Sequence, residues 1–228
     1  MYKKWVIFIA VMLLPSWAVG DKDIPNDSQI QEWWKPENRK KPNEKLEVNK
    51  VVPIRLTGKE EAFLAAVYFP ERGRNFFSGA LLVRPSQKEA RQVQEVGDHF
   101  EVHDLDLDGV SEISTKIVGS GQGTTAGEKI LLYFDGWKPV VLYKKAFGDN
   151  LGACGEYLGH RCYSEEVVWT FTDLDGDDKR DLVELVIKKE GKETDKLRWA
   201  TKVNVFLLKQ KRFIPAAHTM GPNQRTNK

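Results

Sequence analysis

Two short acidic segments combine residue types and a spacing that suit the binding of a metal cation. They are "DLDLDGVSE", from Asp104 to Glu112, and "DLDGDDKRD", from Asp173 to Asp181. In both segments acidic residues stand at positions 1, 3, 5 and 9. These carboxylates would repel one another unless a cation lay among them. A backbone carbonyl at position 7 would complete an all-oxygen ligand set of the kind that hard cations prefer.

The spacing predicts two calcium sites with equivalent ligands. The ligands of the first site are Asp104, Asp106, Asp108, the carbonyl of Val110 and Glu112. Those of the second site are Asp173, Asp175, Asp177, the carbonyl of Lys179 and Asp181. Calcium is favoured over magnesium because it accepts more oxygens in a flexible arrangement, and the lack of Cys or His argues against zinc. A solvated acidic turn is the alternative, but two such turns in register, 69 residues apart, weigh against chance.

The residues that flank the acidic segments alternate as they do in β-strands. "VVWTF" precedes the second segment and "LVELVI" follows it, with β-branched and aromatic residues at period two. These flanks argue against an EF-hand, whose loop lies between helices, although Glu184 falls at position 12 of the second segment. "ILLYFDGWKPVVLY" predicts a hairpin with Asp135-Gly136 as its two-residue turn. Helical character is confined to "SQKEARQVQEV", so we expect an all-β protein.

The acidic segments belong to a longer repeat. Each one follows an alternating strand, precedes another strand, and is followed later by a hairpin-like apolar pair, at residues 130–143 and 203–214. An earlier stretch with "AFLAAVYFP" and "GALLVRP" has the strands of the unit without its acidic loop. The pattern therefore predicts two units with an acidic loop and one degenerate unit.

The strand–DxDxDGxx(D/E)–strand units resemble the FG-GAP and VCBS repeats. In that family the units form four-stranded blades of integrin-α-like β-propellers and bind calcium in the acidic loop. The resemblance covers about residues 63–215 and implies the ligand positions named above. The chain departs from the pattern at Leu107, in place of Gly at position 4, and at Asp178, in place of Gly at position 6. Because the chain is short for a closed ring, we expect antiparallel meander units in a partial propeller-like or compact sheet assembly.

The first 20 residues have the three parts of a secretory signal: Lys3 and Lys4, an apolar stretch over residues 5–14, and a small-residue cleavage site at residues 18–20. The apolar stretch is shorter than the roughly 20 residues that span a bilayer, so we expect no stable membrane insertion. The sequence thus predicts an exported protein, periplasmic or secreted. Without this segment the basic and acidic residues are equal in number, which gives no electrostatic reason to expect a nucleic-acid partner.

The remaining chain divides into three parts by composition. Residues 21–50 are polar and contain prolines, which predicts an extended or disordered arm, and residues 216–228 read as a loose tail. Residues 51–215 are expected to form a single β domain of about three blade-like units. The Trp33-Trp34 pair within the arm either docks on the protein's own surface, which we favour, or anchors a partner.

Cys154 and Cys162 are the two cysteines of the chain, in "CGEYLGHRC". In an exported protein a close pair is most simply a disulfide across a short loop. The alternative is a metal pair with His160, but that spacing matches no usual zinc pattern. We therefore predict a disulfide.

The sequence favours a binding function over catalysis. Saturated oxygen sites leave no open metal position, and the chain has no G-x-S-x-G motif and no recognisable catalytic triad motif. We expect an exported calcium-binding interaction module, not an enzyme, with an exported protein or a surface glycan as its partner. Two alternatives stay open: an inhibitor or immunity-type protein for an exported enzyme, and a metal-dependent hydrolase.

Overall fold

Antiparallel β-strands make up most of the protein. The structure, a computed structural model, describes residues 24–35, 43–73, 76 and 78–216. It is 58% strand and 9% helix, in two antiparallel sheets that are not closed into a barrel, so the predicted all-β antiparallel fold is confirmed. The predicted signal segment, residues 1–20, lies outside the described residues, as does the predicted tail after Ala216.

The first sheet is a four-stranded meander in chain order. Its strands are β1 (Glu47–Arg55), β2 (Glu61–Tyr68), β3 (Ser78–Arg84) and β4 (Glu89–Val93). The stretch with predicted helical character instead forms a short 3₁₀ turn, Pro85–Gln87, and then β4. Pairing with β3 buries Ala90 and Val93 in two different cores, and this burial outweighs the weak local preference for a helix.

The second meander follows directly and contains the first acidic segment. Its strands are β5 (Phe100–His103), β6 (Glu112–Gly121), β7 (Thr124–Asp135) and β8 (Lys138–Asp149). The hairpin between β7 and β8 lies where the sequence predicted it, but Asp135 pairs with Lys138, so the two-residue turn is Gly136-Trp137. The turn is therefore one residue later than predicted, with Gly136 at a φ of 58°.

The third meander contains the second acidic segment. Its strands are β9 (Cys162–Thr172), β10 (Asp181–Gly191), β11 (Arg198–Lys209) and β12 (Arg212–Pro215). It joins the second meander in one eight-stranded sheet, because β8 and β9 pair at Gly148↔Glu165 and Asp149↔Ser164. The eight-stranded sheet is thus two four-stranded meanders linked at one end, and the three meanders correspond to the three units of the sequence repeat.

Apolar side chains pack the meanders against one another in chain order. Leu64 of the first meander and Ile113 and Leu132 of the second lie in one core. Leu131 points the opposite way and packs with Leu208 of the third meander in a smaller core. Because successive side chains of a strand point to opposite faces, β7 can contribute to both cores. The second meander is therefore covered on both faces.

A short helix, α1 (Asp27–Trp33), covers the other face of the first meander. Asn26 begins it with a capping box that includes Gln29. Ile30 and Trp34 are fully buried, and the Trp34 ring lies 5.5 Å from the ring of Phe69. This part of the expected extended arm is helical because its apolar residues, spaced three and four apart, form one face that the sheet buries. The contact of Trp34 with the protein's own sheet agrees with the docking interpretation.

Candidate metal sites

Each acidic segment forms a tight turn between two paired strands. The first joins β5 to β6 and the second joins β9 to β10, so the flanks are strands, as the exclusion of an EF-hand requires. Positions 4 and 6 have a positive φ in both turns: Leu107 (59°) and Gly109 (81°), then Gly176 (79°) and Asp178 (66°). The two turns therefore have the same backbone shape, with the single glycine at a different position in each.

Backbone amides lie beside the first acid of each turn. Asp173 accepts hydrogen bonds from the N–H groups of Gly176, at 2.7 Å, and Asp178, at 3.1 Å. In the first turn the amides of the corresponding residues, Leu107 and Gly109, act to lower the pKa of Asp104, although burial and the charge of Asp108 outweigh them. The amides of positions 4 and 6 therefore favour the ionised carboxylate at position 1 in both turns.

The acids at positions 5 and 9 repeat in the same way. At position 5, Val110 N–H donates to Asp108 Oδ1 at 2.8 Å, and Lys179 N–H donates to Asp177 Oδ1 at 3.1 Å. At position 9, Glu112 Oε2 accepts from Leu105 N–H at 2.7 Å and Asp181 Oδ2 accepts from Leu174 N–H at 3.0 Å. Val110 and Lys179 thus contact the turn through their amides, and the role of their carbonyls as ligands stays a prediction.

The turns bring three of the predicted carboxylates together in each case. Asp104, Asp106 and Asp108 each offer an oxygen within 4.8 Å of the others, and Asp173, Asp175 and Asp181 do the same. Both groups could hold a metal ion, which supports metal-binding turns without identifying the metal. Glu112 and Asp177 lie beside these groups, where each contacts a lysine.

A lysine contacts each acidic turn. Lys209 is the last residue of β11, and Lys211 lies in the two-residue connection between β11 and β12. Lys211 Nζ lies 2.7 Å from Asp108 Oδ2, 3.3 Å from Asp106 Oδ2 and 3.5 Å from Glu112 Oε1. Burial alone would lower the pKa of Lys211, but Asp108 and the neighbouring carboxylates outweigh it and raise that pKa. The first turn is therefore partly neutralised by a cation of the chain itself.

Lys209 has the corresponding place in the second turn. Its Nζ lies 2.6 Å from both Asp175 Oδ2 and Asp177 Oδ2. These hydrogen bonds raise the pKa of Lys209 and lower the pKa of Asp177. Sequence reasoning missed both lysines, because nothing in "LKQKR" indicates that it lies next to residues about 30 and 100 positions earlier.

The first turn holds more negative charge than Lys211 offsets. Burial raises the pKa of Glu112 to about 7, and the charges of Asp106 and Asp108 add to this effect. Burial also raises the pKa of Asp104, with the charge of Asp108 as the next cause. Both shifts mean that the ionised carboxylates are held at a cost, which a multivalent cation would remove.

The first turn contains buried carboxylate oxygens that could serve as ligands of a cation. Among the described residues, the buried Oδ1 atoms of Asp104 and Asp106 have no hydrogen-bond partner. Burying a carboxylate oxygen without a partner is costly, and such atoms in a native fold call for a ligand or an ion. Together with the all-oxygen donor set, they make the first turn suitable for a hard divalent cation.

The predicted disulfide is present. Cys154 and Cys162 are bonded to each other in the connection between β8 and β9. His160, the residue of the alternative metal reading, is exposed and its carbonyl accepts a hydrogen bond from Gly155 N–H at 2.9 Å. The pair therefore closes the loop that links the second and third meanders.

No family model, curated protein or solved structure matches the chain. Within the part of the chain that the structure describes, no helix has the length and apolar character needed to cross a membrane. Function is therefore inferred from the turns, their lysines and the surfaces around them.

Proposed function

We propose that the protein is an exported calcium-binding β-repeat module that binds a partner and does not catalyse a reaction. The observation that carries this proposal is the equivalence of the two acidic turns. Their hydrogen bonds match at positions 5 and 9, and their positive φ angles match at positions 4 and 6. Such a recurrence supports relatedness to FG-GAP and VCBS repeats, whose acidic loops are calcium sites.

Calcium is the cation that this donor set favours. Each turn offers carboxylates from several directions, and the sequence spacing predicts the position-7 carbonyl as a further oxygen ligand. Calcium tolerates such crowded and irregular oxygen sets, whereas magnesium requires near-octahedral geometry and retains water. Bound calcium would hold every neighbouring carboxylate ionised. Carboxylates in that state are poor general acids, which supports a structural role for the ion over a catalytic one.

The lysines define how calcium would enter. Lys211 and Lys209 neutralise carboxylates that calcium would take as ligands, so we expect charge repulsion from the bound ion to displace Lys211 from the first turn and Lys209 from the second. Metal binding would then free the turn between β11 and β12 from its ion pairs. In the metal-free protein, the two lysines partly neutralise the acidic turns.

Two features support an exported location. The Cys154–Cys162 disulfide is typical of proteins in oxidising compartments. The first 20 residues have the composition of a secretory signal. An exported module with ordered turns presents a rigid surface to an exported protein or a surface glycan.

Thermal melting in calcium tests the metal assignment. A ligand that binds the folded state alone stabilises it by about 2.7 kcal/mol at a hundredfold excess over its dissociation constant. We expect melting to rise with calcium, to fall with a chelator, and to respond less to magnesium.

The double variant Asp108→Ala/Asp177→Ala should lose the calcium response, whereas Asp195→Ala, at an exposed acid outside both turns, should keep it. An identical melting curve in calcium and in chelator for the unmodified protein would remove calcium from the proposal.

A further inference from the structure

A cleft of about 500 Å³ lies apart from the acidic turns, where the first strands of the three meanders come together. Its lining includes Lys50 of β1, Lys116 of β6, Lys129 of β7 and Trp169 of β9. Glu101 of β5 is the acidic residue of the lining, and its side chain is 80% exposed. The cleft therefore combines three cations with an aromatic wall, and sequence reasoning did not foresee it.

Two cations of the cleft lie directly beside each other, and the charges of Glu101, Glu166 and Glu184 partly offset one of them, Lys129. Lys116 and Lys129 are direct cross-strand partners on β6 and β7, and like charges in that position destabilise a sheet. Lys50 Nζ lies 5.5 Å from the centre of the Phe100 ring. Across residues 24–35, 43–73, 76 and 78–216, no carboxylate lies within salt-bridge distance of these three lysines. An anion between Lys116 and Lys129 would remove the repulsion.

The aromatic wall is held in place from behind. Trp169 Nε1 donates to Glu184 Oε2 at 3.2 Å, and Glu184 is 1% exposed. The same carboxylate accepts hydrogen bonds from Tyr143 Oη at 3.2 Å and Asn204 Nδ2 at 2.8 Å. The Trp169 ring also packs on Tyr143, with ring centres 5.6 Å apart. The indole is thus fixed before any ligand arrives, which lowers the entropy cost of binding to it.

Cation and aromatic ring lie next to each other. Lys129 Nζ is 5.3 Å from the centre of the Trp169 ring, and Phe171 extends the same wall. A ligand that contacts both needs a ring face for the indole and an anionic group for the ammonium. The remaining lining is mostly polar and includes Ser114 and Glu101, which suits a ring that also carries hydroxyl groups.

We propose that this cleft binds an acidic saccharide, with its carboxylate or sulfate between Lys116 and Lys129 and a sugar ring against Trp169. The inference rests on the proposed function in treating the chain as a binding module, and it names the chemistry of the ligand. It makes no use of the acidic turns, because the lining residues belong to other segments.

Calorimetric titration with four probes tests the ligand class: a galacturonic acid trimer, a sulfated disaccharide, a neutral galactose trimer and inorganic sulfate. At least one acidic saccharide should bind about tenfold or more tightly than the neutral trimer and than inorganic sulfate, because a charged hydrogen bond and ring contact are each worth about that factor. Absence of binding by both acidic probes, or equal binding of the neutral trimer or sulfate, would overturn the proposal.

Variants locate the site. Lys129→Met and Trp169→Ala should each weaken acidic-saccharide binding by about tenfold. The matched controls are Lys189→Met and Trp199→Ala, since Lys189 Nζ lies 4.2 Å from the centre of the exposed Trp199 ring on β10 and β11. Equal loss in the controls would place the binding elsewhere and sink the proposal.

Lys116→Glu separates binding from stability. The exposed substitution replaces a like-charge pair with an opposite-charge pair, so melting should rise while acidic-saccharide binding is lost. Retained binding in this variant contradicts the proposal. All cleft variants should keep the calcium-dependent melting shift. Saccharide binding without a calcium shift would reject the metal function and leave this inference standing, and the reverse result would reject the inference alone.

Discussion

The two acidic turns differ in how deeply their second residue, a leucine in both, is buried. The turn after β1 gives a third leucine for comparison. Leu105, at position 2 of the first acidic turn, is fully buried and packs with Leu131 and Leu208. Leu174, at the same position of the second turn, is 49% exposed. Leu56, just after β1 in the first meander, is fully buried against the second meander. Two equal segments therefore differ in burial because, within residues 24–35, 43–73, 76 and 78–216, the third meander packs on the second meander and on no further one.

The first acidic turn is also tied to its neighbours through the backbone. Ser111 N–H donates to Arg55 O at 2.8 Å, and Arg55 N–H donates to Ser111 Oγ at 2.9 Å. Arg180, within the second turn, donates its N–H to Leu105 O at 2.7 Å. The three turns thus lie in a row at one end of the meanders, with the first acidic turn in the middle. A substitution that distorts the first acidic turn should therefore affect both neighbouring turns.

The largest loss in the free energy of unfolding should follow substitution of the buried acid at position 9, and this loss should be larger in the second turn. Asp181 is fully buried and accepts from Leu208 N–H at 2.8 Å as well as from Leu174 N–H. Asp181→Ala leaves both amides without their partner and should lower the free energy of unfolding by about 2–4 kcal/mol. Glu112→Ala frees one amide and relieves a costly buried charge, so it should lose less.

Urea denaturation in chelator measures both variants without interference from calcium. Asp181→Asn is the matched control, because it retains one acceptor oxygen and should recover part of the loss. A greater loss in Glu112→Ala than in Asp181→Ala would show that burial of the turn, and not its hydrogen bonds, decides stability.

A smaller effect should follow removal of the lysine cations. Lys211→Met deletes an ammonium that competes with calcium for Asp106, Asp108 and Glu112, so calcium affinity of the first turn should rise by about tenfold. Lys209→Met should strengthen the second turn's affinity as well. In chelator both variants should melt earlier, since the carboxylates then repel one another.

Calcium titration calorimetry and melting in chelator give the two measurements for the lysine variants. Lys202→Met, at an exposed position of β11, is the control and should change neither. Weaker calcium binding in Lys211→Met would mean that the lysine supports the metal site and does not compete with it.

The strands and turns could be predicted from the sequence because their signals are local. Alternation along "VVWTF" and "LVELVI" predicts β9 and β10, and the acid spacing predicts both turns. The short separation of Cys154 and Cys162 predicts their bond. These features depend on residues within about one strand or loop of each other.

The remaining features depend on contacts between distant segments. β4 has a weak helical pattern and becomes a strand because β3 offers an open edge. α1 forms within a polar stretch because the first meander buries Ile30 and Trp34. Lys209 reaches the second turn across its own meander, whereas Lys211 reaches the first turn from the neighbouring meander. The residues of the cleft also come from different meanders. Local composition contains no signal for any of these contacts.

The smallest effect should distinguish the two turns by the residue that each places in the left-handed region. Leu107 has a φ of 59° and is 61% exposed, and Asp178 has a φ of 66°. A bulky residue there costs about 1–2 kcal/mol and Asp costs less, while Gly loses about 0.5–1 kcal/mol of chain entropy. Leu107→Gly should therefore stabilise the fold by roughly 0.5–1 kcal/mol, and Asp178→Gly should be close to neutral.

Gly109→Ala is the matched control: its added Cβ would come no nearer than 3.8 Å to Arg55 Nη1, so any loss of stability reports backbone strain. Neither Leu107 nor Asp178 is a predicted ligand, so calorimetry should find calcium binding intact in both Gly variants, and its loss in Asp178→Gly would mean that the ligand set is wrong.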